Sequence, residues 1–143
     1  KLSNGGLVDC EYAVQALQIT FGKQHVTLRG PNTVAALNAA LAAKFLSTEQ
    51  HQSATTAYRF LREVIDCLRM VRGNAMDLAV PPEGSPDFTQ LARRMQRVHN
   101  SQIPLEDLEN QMQIIRDFSA AIFQLCQNQS GQSFCPCLLT VQN

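Results

Sequence analysis

Residues 1–18 read KLSNGGLVDCEYAVQALQ, a glycine pair that leads directly into an amphipathic pattern. Gly5 and Gly6 allow backbone conformations that a Cβ atom would forbid. Asp9 and Glu11 fall in the first turns of the predicted helix, where exposed N–H groups carry partial positive charge and favour carboxylates. The stretch therefore predicts a turn followed at once by a helix.

This first helix is predicted to run from about residue 7 to 22, ending at Gly22 as at a C′ glycine. Its apolar residues recur at helical spacing and predict one buried face, formed by Cys10, Val14, Leu17 and Phe21. Glu11, Gln15 and Gln18 share another face. That face either hydrogen-bonds a partner domain or a nucleotide, or is simply solvated, and solvation is the simpler interpretation.

Four more helices are predicted, with bounds at residues 32–46, 47–73, 85–99 and 104–126. The third is the longest, and its predicted apolar stripe is Ala54, Ala57, Leu61, Val64, Ile65, Leu68 and Val71. Residues 127–143 contain no charged side chain and predict an irregular tail. The fold class predicted is all-α: one domain over residues 1–143, a bundle of five helices with short connections.

Composition narrows the class of protein. The chain has 143 residues and a formal net charge of zero, which favours neither a nucleic-acid partner nor an anionic membrane surface. It does not begin with Met, so we expect a piece of a longer polypeptide. Five cysteines at irregular spacing indicate a reducing, cytoplasmic location. Cys135 and Cys137 are the only close pair, and no second pair of ligands predicts a zinc site with them.

Arginines form two strips on predicted helices. The first lies on the third helix and comprises Arg59, Arg62, Arg69 and Arg72; the second lies on the fourth and comprises Arg93, Arg94 and Arg97. Each strip is either a solvated face paired with neighbouring acids, such as Glu63 and Asp66, or a basic surface. A basic surface would bind phosphates or an acidic protein partner.

Three blocks of the sequence resemble one protein family. Residues 1–18 are similar to the K-x-x-x-G-G-L-R-D-I-E-[FY]-x-V-Q-x-L-Q signature of bacterial glutamine-synthetase adenylyltransferases and the related PII-uridylyltransferases. Residues 28–33, LRGPNT, resemble the family's L-R-x-P-[NS]-T, and residues 57–62, AYRFLR, resemble A-Y-x-F-L-R. Val8 stands where the family has arginine and Cys10 where it has isoleucine. Any ion pair or phosphate contact made by that arginine is therefore missing here.

The resemblance implies a place within a larger enzyme. In such enzymes a helical segment follows a nucleotidyltransferase catalytic domain. The resemblance implies that the segment facing this domain and its nucleotide comprises Lys1, Gly5, Gly6, Asp9 and Glu11. The parent enzyme would use Mg²⁺ with ATP or UTP to modify a regulatory protein of nitrogen metabolism. Its partners would thus be its own upstream catalytic domain and a protein substrate, with no nucleic acid and no membrane; the oligomeric state stays open.

The chain contains no catalytic motif of its own. It lacks the family's Gly-Ser turn followed by a D-x-D strand, and it has no P-loop and no G-x-G-x-x-G. Asp9 and Glu11 alone do not make a complete metal site. We therefore expect no catalytic residue, no metal and no bound cofactor in this chain alone. The first hypothesis is a helical accessory or substrate-binding domain of a protein nucleotidyltransferase. The alternative is a non-catalytic interaction module that binds an acidic partner through its arginine strips.

Overall fold

A computed structural model describes residues 3–72 and 78–130 of the chain. Within these ranges the chain is helical and has no β-strand, which confirms the predicted all-α bundle. The five helices are α1 (Leu7–Phe21), α2 (Thr33–Ala42), α3 (Thr48–Arg72), α4 (Pro86–His99) and α5 (Leu108–Ser130). Short 3₁₀ turns precede α2 and α5, at Val26–Leu28 and Leu105–Asp107.

Helix α1 lies at the centre of the bundle. It packs along α5 and also contacts α2 and α3, while α3 packs on α4 and α5. One contiguous core results, to which α1 contributes Leu7, Cys10, Ala13, Val14, Leu17 and Phe21. The predicted apolar face of the first helix is therefore confirmed. One face of α1 thus lies in the core, and the two sides next to that face reach the surface, where they line grooves.

Side-chain caps explain why the helices begin where they do. Ser47 and Gln50 form a reciprocal capping box before α3, with each side chain accepting from the other residue's backbone N–H at 3.0–3.1 Å. Ser85 accepts from the N–H of Phe88, and Pro86 occupies the first position of α4. The Asn32 side chain accepts from the N–H of Ala35 and caps α2. These starts agree with the sequence prediction.

The ends of the helices differ from the prediction in three places. Helix α2 stops at Ala42 rather than near Leu46, because Lys44 adopts a left-handed φ of 64° and the chain closes a Schellman-type turn there. Gly22 ends α1 in a right-handed conformation, with φ −64°, and not as the left-handed C′ glycine expected. Helix α5 continues to Ser130, so residues 127–130 are helical and the predicted irregular tail was wrong for them. Residues 131–143 lie outside the described ranges.

Burial confirms six of the seven residues in the predicted stripe of α3, but Val71 is 41% exposed. It lies in the last turn of the helix, where no described element covers it. Cys10, Cys67 and Cys126 are buried, and Cys135 and Cys137 lie outside the described residues. Across the described ranges no cluster of three His, Cys, Asp or Glu side chains is placed to hold a metal. None of the helices in residues 3–72 and 78–130 is both long and apolar enough to cross a bilayer.

Candidate functional site

A groove of about 560 Å³ opens where α1, α2, α3 and the end of α4 meet. We call it the signature groove, because each of the three sequence blocks described above supplies part of its wall. It is lined by Glu11, Pro31, Asn32, Thr33, Val34, Tyr58, Arg59, Arg62, Glu63, Asp66 and His99. Residues that are 47 positions apart in the chain, Glu11 and Tyr58, are in direct contact there. The fold thus brings the three blocks together in one place.

Tyr58 joins three helices at the floor of this groove. Its hydroxyl donates to Oε1 of Glu11 at 3.3 Å and also hydrogen-bonds the side chain of Thr33. Burial, together with the nearby Glu11 carboxylate, raises the pKa of Tyr58 above its ordinary value, against the opposing effect of the Thr33 hydrogen bond. Tyr58 therefore keeps its proton at neutral pH and holds the Glu11 carboxylate in position. Sequence reasoning did not single out this residue, although it lies in the third block.

Gln18 fixes the loop that leads into α2. Its amide Nε2 donates to the carbonyl oxygens of Leu28 at 2.7 Å and Gly30 at 2.8 Å. Arg29 in the same loop donates from Nε to the carbonyl of Gly22 at 2.5 Å, which satisfies the end of α1. The solvated face expected for Gln18 is therefore wrong, whereas Gln15 is exposed as expected. The loop and the start of α2 are held against α1 by these bonds.

Substituting Gln18 by methionine keeps the length of the side chain and removes both donors. We expect the free energy of unfolding to fall by about 1–3 kcal/mol, since two part-buried carbonyl groups lose their partner. Equilibrium urea unfolding measures this loss. The matched control is Gln15→Met on the exposed face of the same helix, for which a change within about 0.5 kcal/mol is expected. An equal loss of stability in the two variants would show that the hydrogen bonds from Gln18 to the loop do not stabilise the fold.

Asp9 lies on the other side of α1. Its Oδ2 accepts from the N–H of Gly5 at 2.6 Å, and its backbone carbonyl accepts from Oγ of Ser119 at 3.2 Å. Arg116 of α5 donates to the carbonyl of Asn4 at 3.0 Å and pairs with Glu109. A second groove of about 330 Å³ opens here between α1 and α5. Asp9 thus closes the turn that starts α1, and it does not lie beside Glu11.

The predicted site residues consequently separate. Gly5 and Gly6 are buried, Asp9 lies on the α5 side and Glu11 lines the signature groove; Lys1 falls outside the described residues. Arg59 and Arg62 line the signature groove. Arg69 instead pairs with Asp66 at 3.8 Å on an exposed surface, and the side chain of Arg72 is outside the described part of the chain. Of the three arginines of the first strip whose side chains are described, two reach the groove.

Comparison with known proteins covers most of the chain. Residues 1–125 match the family model described as GlnD PII-uridylyltransferase. A bifunctional glutamine synthetase adenylyltransferase/adenylyl-removing enzyme of Streptomyces avermitilis is 34% identical over 95 residues, which are 66% of this chain and 9% of that enzyme. The enzyme of the same name from Mycobacterium bovis is 36% identical over 93 residues, which are 65% of this chain and 9% of that enzyme. The one from Corynebacterium diphtheriae is 42% identical over 62 residues, which are 43% of this chain and 6% of that enzyme. The chain therefore spans less than a tenth of these relatives. No solved structure matches it significantly.

Proposed function

The chain belongs to the GlnD PII-uridylyltransferase family, and from this premise we propose that it is the helical accessory domain of a protein nucleotidyltransferase. Its relationship to adenylyltransferases already makes it a nucleotidyltransferase-related helical domain. The proposal adds that the signature groove faces the nucleotide site of a catalytic domain in the same polypeptide. That parent enzyme would use Mg²⁺ with ATP or UTP to modify a regulatory protein in the cytoplasm.

The convergence of the three sequence blocks on one groove carries the proposal. Blocks 1–18, 28–33 and 57–62 all supply lining residues, so the pattern shared with the family describes a surface and not only a core. This surface carries charged groups, with Glu11 held by Tyr58 and two arginines also lining the groove. Charged and hydrogen-bonding groups of this kind can bind and orient a ligand or an adjoining domain. The groove therefore suits an accessory role.

Neutralising the groove carboxylate tests the proposal. In the full-length parent enzyme, Glu11→Gln should lower the rate of nucleotidyl transfer by about tenfold, because a positioned charge that contacts the nucleotide or its domain is lost. Its thermal unfolding should stay close to that of the unsubstituted enzyme, since glutamine can still accept from Tyr58. A companion variant, Asp9→Asn, tests the carboxylate on the opposite side of α1.

The matched control is Glu83→Gln, an exposed carboxylate in the segment before α4 that lines neither groove. Transfer by this control should equal that of the unsubstituted enzyme. Transfer assays with ATP and with UTP identify which nucleotide is used. If both Glu11→Gln and Asp9→Asn leave transfer unchanged with either nucleotide, the accessory assignment is overturned.

A further inference from the structure

We propose that the signature groove binds the phosphate chain of an oligophosphate ligand between Arg59, Arg62 and the first turn of α2. This inference rests on the proposed function and deepens it, because it assigns part of the ligand to named residues of this chain.

The two arginines are free to bind an anion. Arg59 and Arg62 lie one helical turn apart on α3, so their Cβ atoms are about 5–6 Å from each other. Both side chains are exposed at the groove, and neither makes an ion pair or hydrogen bond with any residue in the described ranges. Planar guanidinium groups donate pairs of N–H bonds that match phosphate oxygens. Two such groups at this spacing can hold successive phosphates of one chain.

The opposite wall offers further donors. Thr33 and Val34 open the ten-residue helix α2 and line the groove. The Asn32 cap satisfies the N–H of Ala35, while the N–H groups of the first two helical residues have no partner within the helix. These groups and the helix dipole favour negative charge. Nε2 of His99, on the α4 side, is buried without any hydrogen-bond partner among the described residues.

Carboxylates in the groove limit which form of the ligand binds. Glu11 accepts from Tyr58 and Asp66 pairs with Arg69, but Glu63 has no such partner among the described side chains. A bare polyanion is repelled by these acids. A phosphate chain that carries Mg²⁺ has lower net charge, so the magnesium complex is the form expected to bind.

Isothermal titration of the 143-residue chain with tripolyphosphate and Mg²⁺, at low ionic strength, tests the inference. We expect saturable one-to-one binding that weakens by about tenfold or more in the double variant Arg59→Gln/Arg62→Gln. The matched control is Arg93→Gln/Arg97→Gln, which removes the same charge from exposed positions of α4 that do not line the groove. The control should bind within about twofold of the unsubstituted chain. Circular dichroism and thermal unfolding verify that both variants are folded.

The outcomes separate the alternatives. Equal weakening in both double variants would indicate nonspecific attraction and overturn the proposal, as would the absence of saturable binding. Titrations with ATP, UTP, adenosine and uridine identify the rest of the ligand. If a nucleoside binds as tightly as its triphosphate does, the proposal is also overturned. The accessory assignment is tested separately by transfer in the Glu11→Gln enzyme. If the chain does not bind tripolyphosphate but the Glu11→Gln enzyme shows a transfer defect, only the phosphate site is rejected and the accessory assignment stands.

Discussion

Replacing Gly5 by alanine is expected to lower the free energy of unfolding by about 3 kcal/mol or more. Gly5 has φ +78°, and a Cβ atom there would lie 2.4 Å from the carbonyl oxygen of Met112 and 2.9 Å from Cγ of Arg116. The nearest atom belongs to the backbone of α5, which cannot move aside like the end of a flexible side chain. The substitution must therefore separate α1 from α5 or distort the turn that Asp9 closes.

Gly84 supplies a matched control for this prediction. Its φ is +81°, almost the same as that of Gly5, but no atom lies within 4 Å of the position its Cβ would take. Gly84→Ala should consequently cost only the conformational strain, about 1–2 kcal/mol. Equilibrium urea unfolding of both variants distinguishes the free-energy cost of backbone strain from that of the steric clash with α5. Equal losses would show that the close approach of Gly5 to α5 does not exist in solution.

Cys10 should react with iodoacetamide at least about a thousandfold more slowly in the folded chain than in urea, both at pH 8, because the folded state holds little thiolate and shields the sulfur from the reagent. Cys10 is fully buried. Its burial, helped by the nearby Glu11 carboxylate, raises the pKa of the Cys10 thiol from 9.0 to about 12. The reactive thiolate is thus about a thousandfold scarcer in the folded state. Mass spectrometry of the peptide that contains Cys10 measures the rate, and the unfolded chain is its reference. A folded rate within about tenfold of the unfolded one would show that the core around α1 opens readily.

The same raised pKa makes stability depend on pH. Between pH 9 and about 12 the folded chain keeps the Cys10 proton while the unfolded chain loses it. This contribution to stability is complete below pH 9 and falls as the pH rises, by at most about 1.4 kcal/mol per pH unit. Cys10→Ala should therefore show a shallower decline of the urea midpoint above pH 9 than the unsubstituted chain does.

The helical architecture could be predicted from the sequence because its determinants are local. The apolar spacing of α1 and α3, the Ser47–Gln50 capping box and the Ser85–Pro86 start act within a turn or two of the chain. The places where prediction failed depend on tertiary contacts or on unusual backbone geometry. Lys44 ends α2 in a left-handed conformation that alanine-rich spacing does not indicate. Val71 follows the apolar pattern of α3, yet no described element packs on it.

The candidate site was less predictable, since its residues act across distant parts of the chain. Gln18 looks like a surface amide until the 28–30 loop is folded back onto it. Tyr58 acquires its role through Glu11, 47 residues earlier. Asp9 and Glu11 are two residues apart and are predicted to face the same domain, but each lines a different groove. Helical spacing carried the relevant signal, because residues two apart point about 200° from each other.

The placement of Asp9 and Glu11 on opposite sides of α1 constrains how this part of the protein can change in evolution. Each residue added to a helix turns everything after it by about 100°. One insertion between Asp9 and Gln18 would carry Gln18 away from the loop carbonyls, or Glu11 away from Tyr58, and would misalign the buried face at the same time. The exposed side chain of Ile19 lines neither groove and is free to vary. The length of α1 cannot change in the same way, because this one helix sets the positions of the residues that line the grooves on both of its sides.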